Sequence, residues 1–331
     1  ALCAVEEINR TGGVLGRPLE LITRDGQDDS ALTVRLVEEL IAQGVIYIIG
    51  TVGDPIVAEG NVACQAGIPI STGIGSAPNL VPDMGDCAFM MIWNDTIQGA
   101  AAAQHAYESG YRTAFLLRST EFPYVEDLPT YFGETFEHFG GEVTGEEEFR
   151  VEAGDYSAIV TTIASLDPAP DVIYSPMINP DSVLFMRQLR AAGVETPVYT
   201  PDTNDAPNVL DGGQAVEGMP ITTHGFPLPS SELEAFYDRF EEGTGKRPDN
   251  IFYALGYDEI YAVKQALESA GSAEPAALME ALENLTDFKG VTGTWSMDPE
   301  THLAQKPVTL IQIQDGQFVY IDTFFPDYIP A

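Results

Sequence analysis

The sequence predicts an α/β protein built as two doubly wound lobes, each a parallel sheet covered by helices, with a ligand cleft between them. Three observations predict it. Helical and strand-like patterns alternate almost throughout, as they do when crossover helices join parallel strands. The alternation runs in two successive series. And 331 residues suffice for about two domains at roughly 150 residues each. At this size roughly three quarters of the unfolded surface is buried, so the core needs no staples.

The first series opens on Ala1-Leu2-Cys3-Ala4, which continues into Val-Glu-Glu-Ile-Asn. That continuation reads as an amphipathic helix already under way rather than as a lipid-modified cysteine. Residues 19–23 read as a strand, and 30–43 as a helix with Leu32, Leu36, Leu40 and Ile41 on one face. A buried strand at 45–49, a helix at 55–65 and a short strand at 68–71 follow. The second series sets helices at 98–109, 124–139, 156–165 and 181–192 between strands at 113–117, 142–149, 172–174 and 197–200. The last third changes character, with helices at 232–244, 252–270 and 274–285. It closes on strands 308–312 and 317–322, joined by Gln314-Asp315-Gly316, a hairpin signal.

Composition narrows the function. Against 51 acidic residues stand 15 basic ones, for a formal charge of −36. Such a surface repels phosphate backbones and acidic membranes, so nucleic acid is not an expected partner. No apolar run approaches the ~20 residues of a membrane span. No signal peptide is visible, so any export signal is expected to have been removed or to lie upstream. The three cysteines, Cys3, Cys64 and Cys87, are too few and too widely spaced for a disulfide framework or a zinc-type cluster. Cys64 with Cys87 is the one pair worth considering, and sequence does not settle its geometry. His105, His138, His224 and His302 show no ligand spacing, so no metal is expected.

Catalytic signatures are missing as well. Gly73-Ile74-Gly75 is half a dinucleotide fingerprint and runs into Ser-Ala-Pro. There is no G-x-S-x-G elbow. The expectation is a binding protein without cofactor, not an enzyme. In open α/β sheets ligands bind beyond the carboxyl ends of the strands, which directs attention to the loops at 50–55, 72–79, 118–124, 175–180 and 200–205. Two acids stand out there. Asp54 either caps the helix beginning at Pro55 or accepts a hydrogen bond from a ligand. Asp202 is either a turn residue in Pro-Asp-Thr-Asn-Asp or a ligand acceptor. Tyr124 is a candidate wall for an apolar ligand, and Trp93 either such a wall or a core or hinge residue.

An ordered set of short segments carries a resemblance. It begins with Ile8-Asn9-Arg10-Thr11-Gly12-Gly13-Val14-Leu15-Gly16-Arg17-Pro18-Leu19-Glu20-Leu21, then Arg24-Asp25 with Asp28, Gly67-Ile68-Pro69, and Asp95 with Gln98-Gly99. It continues through Leu189-Arg190-Ala191-Ala192-Gly193, Glu217-Gly218, Tyr253-Ala254-Leu255-Gly256-Tyr257-Asp258, Ala266-Leu267-Glu268-Ser269-Ala270-Gly271 and Val291-Thr292-Gly293. Over essentially the whole chain this resembles the branched-chain amino-acid-type (leucine/isoleucine/valine-binding-protein-like) periplasmic solute-binding proteins. The resemblance implies a type I, two-lobed binder with three hinge crossovers, serving an ABC permease complex. It implies a monomer, periplasmic or extracellular, with or without a lipid anchor. Lobe one would be 1–94 plus 228–298, and lobe two 95–227 plus 299–331. The strand that opens such proteins is absent, and without it one sheet would lose a central partner. A sensory or regulatory ligand-binding domain of the same fold is the alternative function.

The resemblance also implies where a solute sits. A carboxylate-binding serine of the family falls on Asp54, a departure. A second carboxylate site, made of backbone amides, falls on Ile74, Gly75 and Ser76. One aromatic falls on Tyr124, another on Ile178, a mismatch, and the acid that receives an amino group falls on Asp202. Two carboxylates ~4 Å apart repel by roughly 4 kcal/mol at an effective dielectric of ~20, about a thousandfold in affinity. An inward-facing Asp54 would therefore reject a simple α-carboxylate. The expected solute is a small amino acid, amide or related polar compound, not necessarily leucine.

Overall fold

The computed structural model describes residues 1–27, 29–53 and 55–330. They form two compact units: 1–94, 229–248 and 252–306 in the first, and 95–228, 249–251 and the residues from 307 onward in the second.

Unit one begins with α1 (Leu2–Arg10), whose Ala4, Val5 and Ile8 are buried. Asn9 clamps the chain that follows: its Oδ1 accepts from Leu19 N at 2.7 Å and its Nδ2 donates to Leu19 O at 2.8 Å. Between them Gly13 has φ +76°, and a Cβ there would stand 1.9 Å from Arg17 O, so this turn tolerates only glycine. Next come α2 (Ser30–Ala42), capped by Asp29 through Leu32 N at 2.8 Å, β1 (Ile48–Ile49), α3 (Pro55–Gln65), β2 (Ile70–Ser71), α4 (Leu80–Met84) and β3 (Ala88–Phe89). The strands pair in parallel in the order β1-β2-β3. Residues 19–23, expected as a strand, are not one; no described strand pairs with them, and β1 carries a neighbour on one side only. An extended segment without a ladder partner is not a strand.

Cys64, in α3, and Cys87, just before β3, form a disulfide, which fastens helix to strand across a separation of 23 residues. A loop of that length confers about 3 kcal/mol in the chain-entropy account. The double variant Cys64→Ser/Cys87→Ser is expected to unfold at lower urea by that amount. Unfolding curves of the wild type that coincide with and without reductant would show the thiols unpaired.

Unit two runs through α5 (Asp95–Glu108), β4 (Thr113–Arg118), α6 (Pro123–His138), β5 (Glu142–Glu148), α7 (Ser157–Ala164), β6 (Val172–Tyr174), α8 (Asp181–Ala191), β7 (Val198–Tyr199) and β8 (Pro220–Thr223). Its parallel sheet has the order β5-β4-β6-β7. Residue alternation explains the layers. Phe115, Leu117, Ile173 and Val198 pack with α7 and α8 residues on one face. Ala114, Leu116, Val172, Tyr174 and Tyr199 pack with α5 and α6 residues on the other. Small residues let α5 approach α6: a Cβ on Gly99 would come 2.8 Å from Tyr131 Cβ. The edge strand β5 alternates exposed and half-buried positions and displays its glutamates, which discourages edge pairing.

The chain then returns to unit one with α9 (Glu232–Thr244), α10 (Phe252–Ala270), α11 (Pro275–Glu283), β9 (Phe288–Gly290), β10 (Gly293–Met297) and β11 (Ala304–Gln305). The segment 299–306 stays in unit one rather than passing to the second at 299. β11 pairs with β10, and Ala304 N donates to Met90 O at 2.9 Å. In unit two, β12 (Val308–Gln314) and β13 (Gln317–Phe324) form the expected hairpin, with positive φ at Asp315 and Gly316. With β8 they make an antiparallel sheet, β13-β12-β8, which joins the end of β7 through a bridge from Thr200 to Ile221. Neither β8 nor this second sheet was foreseen.

Candidate functional site

In unit two the loops beyond β4, β6 and β7 meet in a polar cluster. Pro123 opens α6 in extended-to-helical geometry after Phe122, which puts Tyr124 in the first turn. After β7, Pro201 leads into a short 3-10 turn, Asp202–Asn204. Asn204 is fully buried and fully used: Nδ2 donates to Met177 O at 2.8 Å and to Thr200 Oγ1, while Oδ1 accepts from Ser182 Oγ at 2.6 Å. It pins the loop after β7 to the loop after β6.

Thus held, the buried Asp202 accepts from Tyr124 Oη at 2.6 Å and from Gln98 Nε2 at 2.8 Å, both on Oδ1. Gln98 Nε2 also donates to Thr222 Oγ1 at 2.9 Å, and His224 Nε2 lies 3.5 Å from Asp202 Oδ2. Burial is the strongest influence on this carboxyl and would raise it. The hydrogen bonds from His224, Tyr124 and Gln98, with the nearby imidazole, outweigh burial and hold it below its ordinary value. Asp202 is therefore an anion at neutral pH, at the carboxyl end of a parallel sheet, with one oxygen saturated.

A second acid completes this wall. The half-buried Asp205 accepts from Thr223 Oγ1, and burial pushes its carboxyl up to about 6, with the Asp202 charge adding to the effect. The folded state thus holds a proton that the unfolded chain releases from about 4 upward. The stability Asp205 contributes is complete below its unfolded value and is lost as pH rises through about 6. The melting temperature of Asp205→Asn, measured relative to wild type, is expected to climb between pH 4 and pH 7. A constant difference across that range would contradict it.

Unit one carries a pocket of about 220 Å³ where the loops after β1 and β2 meet α10. Ile49, Val52, Ile74, Met91, Phe252 and Leu255 line it, together with Glu259 and Ala1. Glycine lets the two loops touch: Gly73 has φ +59°, and a Cβ there would stand 2.7 Å from Gly50 O. The first loop is tied down by the buried Glu59, whose carboxylate accepts from Thr51 N at 2.9 Å and Thr51 Oγ1 at 2.6 Å. Glu259 Oε1 accepts from Tyr47 Oη at 2.8 Å and from Ser71 Oγ. Burial raises this carboxyl above its ordinary value against the opposing pull of those two bonds.

Of the expected site residues, Tyr124 and Asp202 are in direct contact. Ile178 is half-buried in the loop pinned by Asn204. Ile74 is 44% exposed at the pocket in unit one. Gly75 does not present a free amide to an anion, because its N–H donates to Thr72 O at 2.8 Å; Ser76 lies half-buried beyond that turn. Trp93 is fully buried and presents no wall to solvent. Asp54 lies outside the described residues. Sequence reading missed His224, Thr222 and Glu259 as site residues, and noticed Gln98 only within the resemblance.

A family profile described as periplasmic binding protein matches residues 1–317. The chain is 24% identical to the leucine-, isoleucine-, valine-, threonine- and alanine-binding protein of Pseudomonas aeruginosa over 314 residues, 94% of this chain and 83% of that protein. Among solved structures it is similar to a leucine-binding protein, LivK, of Thermotoga maritima, with TM-score 0.84 and 27% identity over 98% of this chain and 93% of that one. It shares its fold with a solute-binding protein of an ABC transporter from R. palustris in complex with benzoate, at TM-score 0.81 and 20% identity over 99% of this chain and 91% of the other.

Proposed function

The chain belongs to the periplasmic binding protein family, and we propose that it is the extracytoplasmic solute-capture component of an ABC importer, taking a small amino-acid-like or amide-bearing polar solute. The observation that carries this reading is the buried, ionised Asp202, held in place by Tyr124 and Gln98 at the carboxyl end of the sheet in unit two. A buried anion kept charged by its hydrogen bonds is suited to receive an ammonium or amide N–H. The relatives named for leucine, isoleucine and valine support the solute class.

In the proposed cycle the solute's donor group meets Asp202, Tyr124 covers its apolar part, and the two units close on it before the complex docks on a permease. No bond is made or broken. Mass spectrometry of the purified protein, native and after denaturation, tests this. A small molecule released unchanged by unfolding supports capture, whereas a chemically altered product on incubation would point to an enzyme.

A further inference from the structure

Unit two carries a cavity of about 330 Å³ between α8 and the 3-10 segment Pro207–Val216. The two elements are fixed against each other, since Val183 and Met186 of α8 bury with Val209 and Val216 in one apolar cluster. The cavity is thus preformed, and its volume falls in the roughly 300–1,000 Å³ range of small-molecule sites. Pro180, Val183 and Leu184 give it an apolar wall, and Arg187, Asp211, Asn179 and Asn208 give it polar groups. None of these residues belongs to the cluster of Tyr124, Gln98, Thr222 and His224 around Asp202.

The polar groups set this cavity apart. Arg187 donates Nη2 to the main-chain oxygen of Asp211, yet its guanidinium pairs with no carboxylate among the described residues, that of Asp211 included. In a chain of 51 acidic and 15 basic residues, acids to pair with are plentiful. The Asp211 carboxylate and the carboxamides of Asn179 and Asn208 likewise make no hydrogen bond among the described residues. A cation and an anion that line one cavity without pairing leave both charges to a ligand. A plain carboxylate would satisfy Arg187 and be repelled by Asp211, and a plain amine has the converse fault. A zwitterion answers both, and the guanidinium fork matches its carboxylate with two parallel hydrogen bonds.

We propose that this cavity is a second ligand site, separate from the one at Asp202, for a small zwitterion that carries an apolar chain. Arg187 takes the carboxylate, Asp211 the ammonium, and Pro180, Val183 and Leu184 cover the chain. The proposal goes beyond the solute-capture reading and does not depend on it.

The test is backbone-amide NMR titration of the isotope-labelled protein with norvaline, pentanoate and 1-aminobutane. The last two are norvaline without its amino group and norvaline without its carboxylate. In the wild type norvaline is expected to shift the amides of residues 183–187 and 208–211 saturably. It should bind there at least about tenfold tighter than either fragment, the lower end of what one charge-assisted hydrogen bond gives. Arg187→Met and Asp211→Asn change exposed side chains, so both proteins are expected to fold. Each should weaken norvaline at these amides by about tenfold or more, with the response at Tyr124 and Asp202 as in the wild type. Three results overturn the second site: no saturable shift at residues 183–187 and 208–211, a fragment that binds there as tightly as norvaline, or a norvaline affinity there that either variant leaves unchanged. Each of them leaves solute capture at Asp202 standing.

Discussion

Asp202→Asn is expected to weaken solute binding about ten- to a hundredfold while leaving the protein folded. Asparagine keeps an oxygen to accept from Tyr124 Oη and Gln98 Nε2, which approach Oδ1 at 2.6 and 2.8 Å. It loses the charge, and hydrogen bonds to a charged partner contribute about 1.5–3 kcal/mol. Asp202→Ala is expected to go further. It strips both donors of their acceptor and separates His224 from the carboxylate 3.5 Å away. Leaving such buried groups unsatisfied costs about 1–3 kcal/mol each, so this variant should lose stability as well as affinity. Calorimetry and thermal unfolding read the two effects separately. Normal affinity in Asp202→Asn would remove Asp202 from the binding wall.

The largest stability effect is expected at Asp258 on α10. Its carboxylate accepts from Val291 N at 2.7 Å, Thr292 N at 2.9 Å and Thr292 Oγ1, and so latches the turn between β9 and β10 onto the helix. Lys306, 1% exposed, donates from Nζ to Thr292 Oγ1 at 2.6 Å. Burial raises the Asp258 carboxyl and pushes the Lys306 ammonium down to about 8, so desolvation outweighs their mutual attraction. Asp258→Ala leaves the buried Lys306 without its counter-charge and also strips three donors of their acceptor, a loss of about 3–5 kcal/mol. Asp258→Ala is expected to show that loss in urea unfolding, whereas Lys306→Met, which leaves the three bonds to Asp258 intact, should cost less than half as much. Equal losses would mean that the charge pair, not the latch, carries the effect.

The legible parts of this protein were the long periodic ones. Helices 55–65, 232–244 and 252–270 and the hairpin at Asp315-Gly316 follow from apolar spacing and turn chemistry, because local physics decides them. The two-residue strands β1, β2 and β3 carry almost no period of their own; parallel partners define them. Residues 19–23 failed for the same reason in reverse, a strand-like pattern without a partner. At the site, Tyr124 and Asp202 were visible because each follows a strand. Gln98 and His224 reach Asp202 from distant parts of the chain, and Glu259 is hidden inside a helix whose pattern reads as core. At Gly75 a glycine-rich turn suggests free amides, while this one folds its N–H back onto Thr72 O.

The claim that the chain captures a small polar solute is tested most directly by titrating ligand-stripped, refolded protein with amino acids, amides and amines, alongside Asp202→Asn. Saturable one-to-one binding of at least one such solute, weakened ten- to a hundredfold in the variant, is the result expected from a charge-assisted contact at Asp202. Binding of none of them, or binding that Asp202→Asn leaves unchanged, would contradict it.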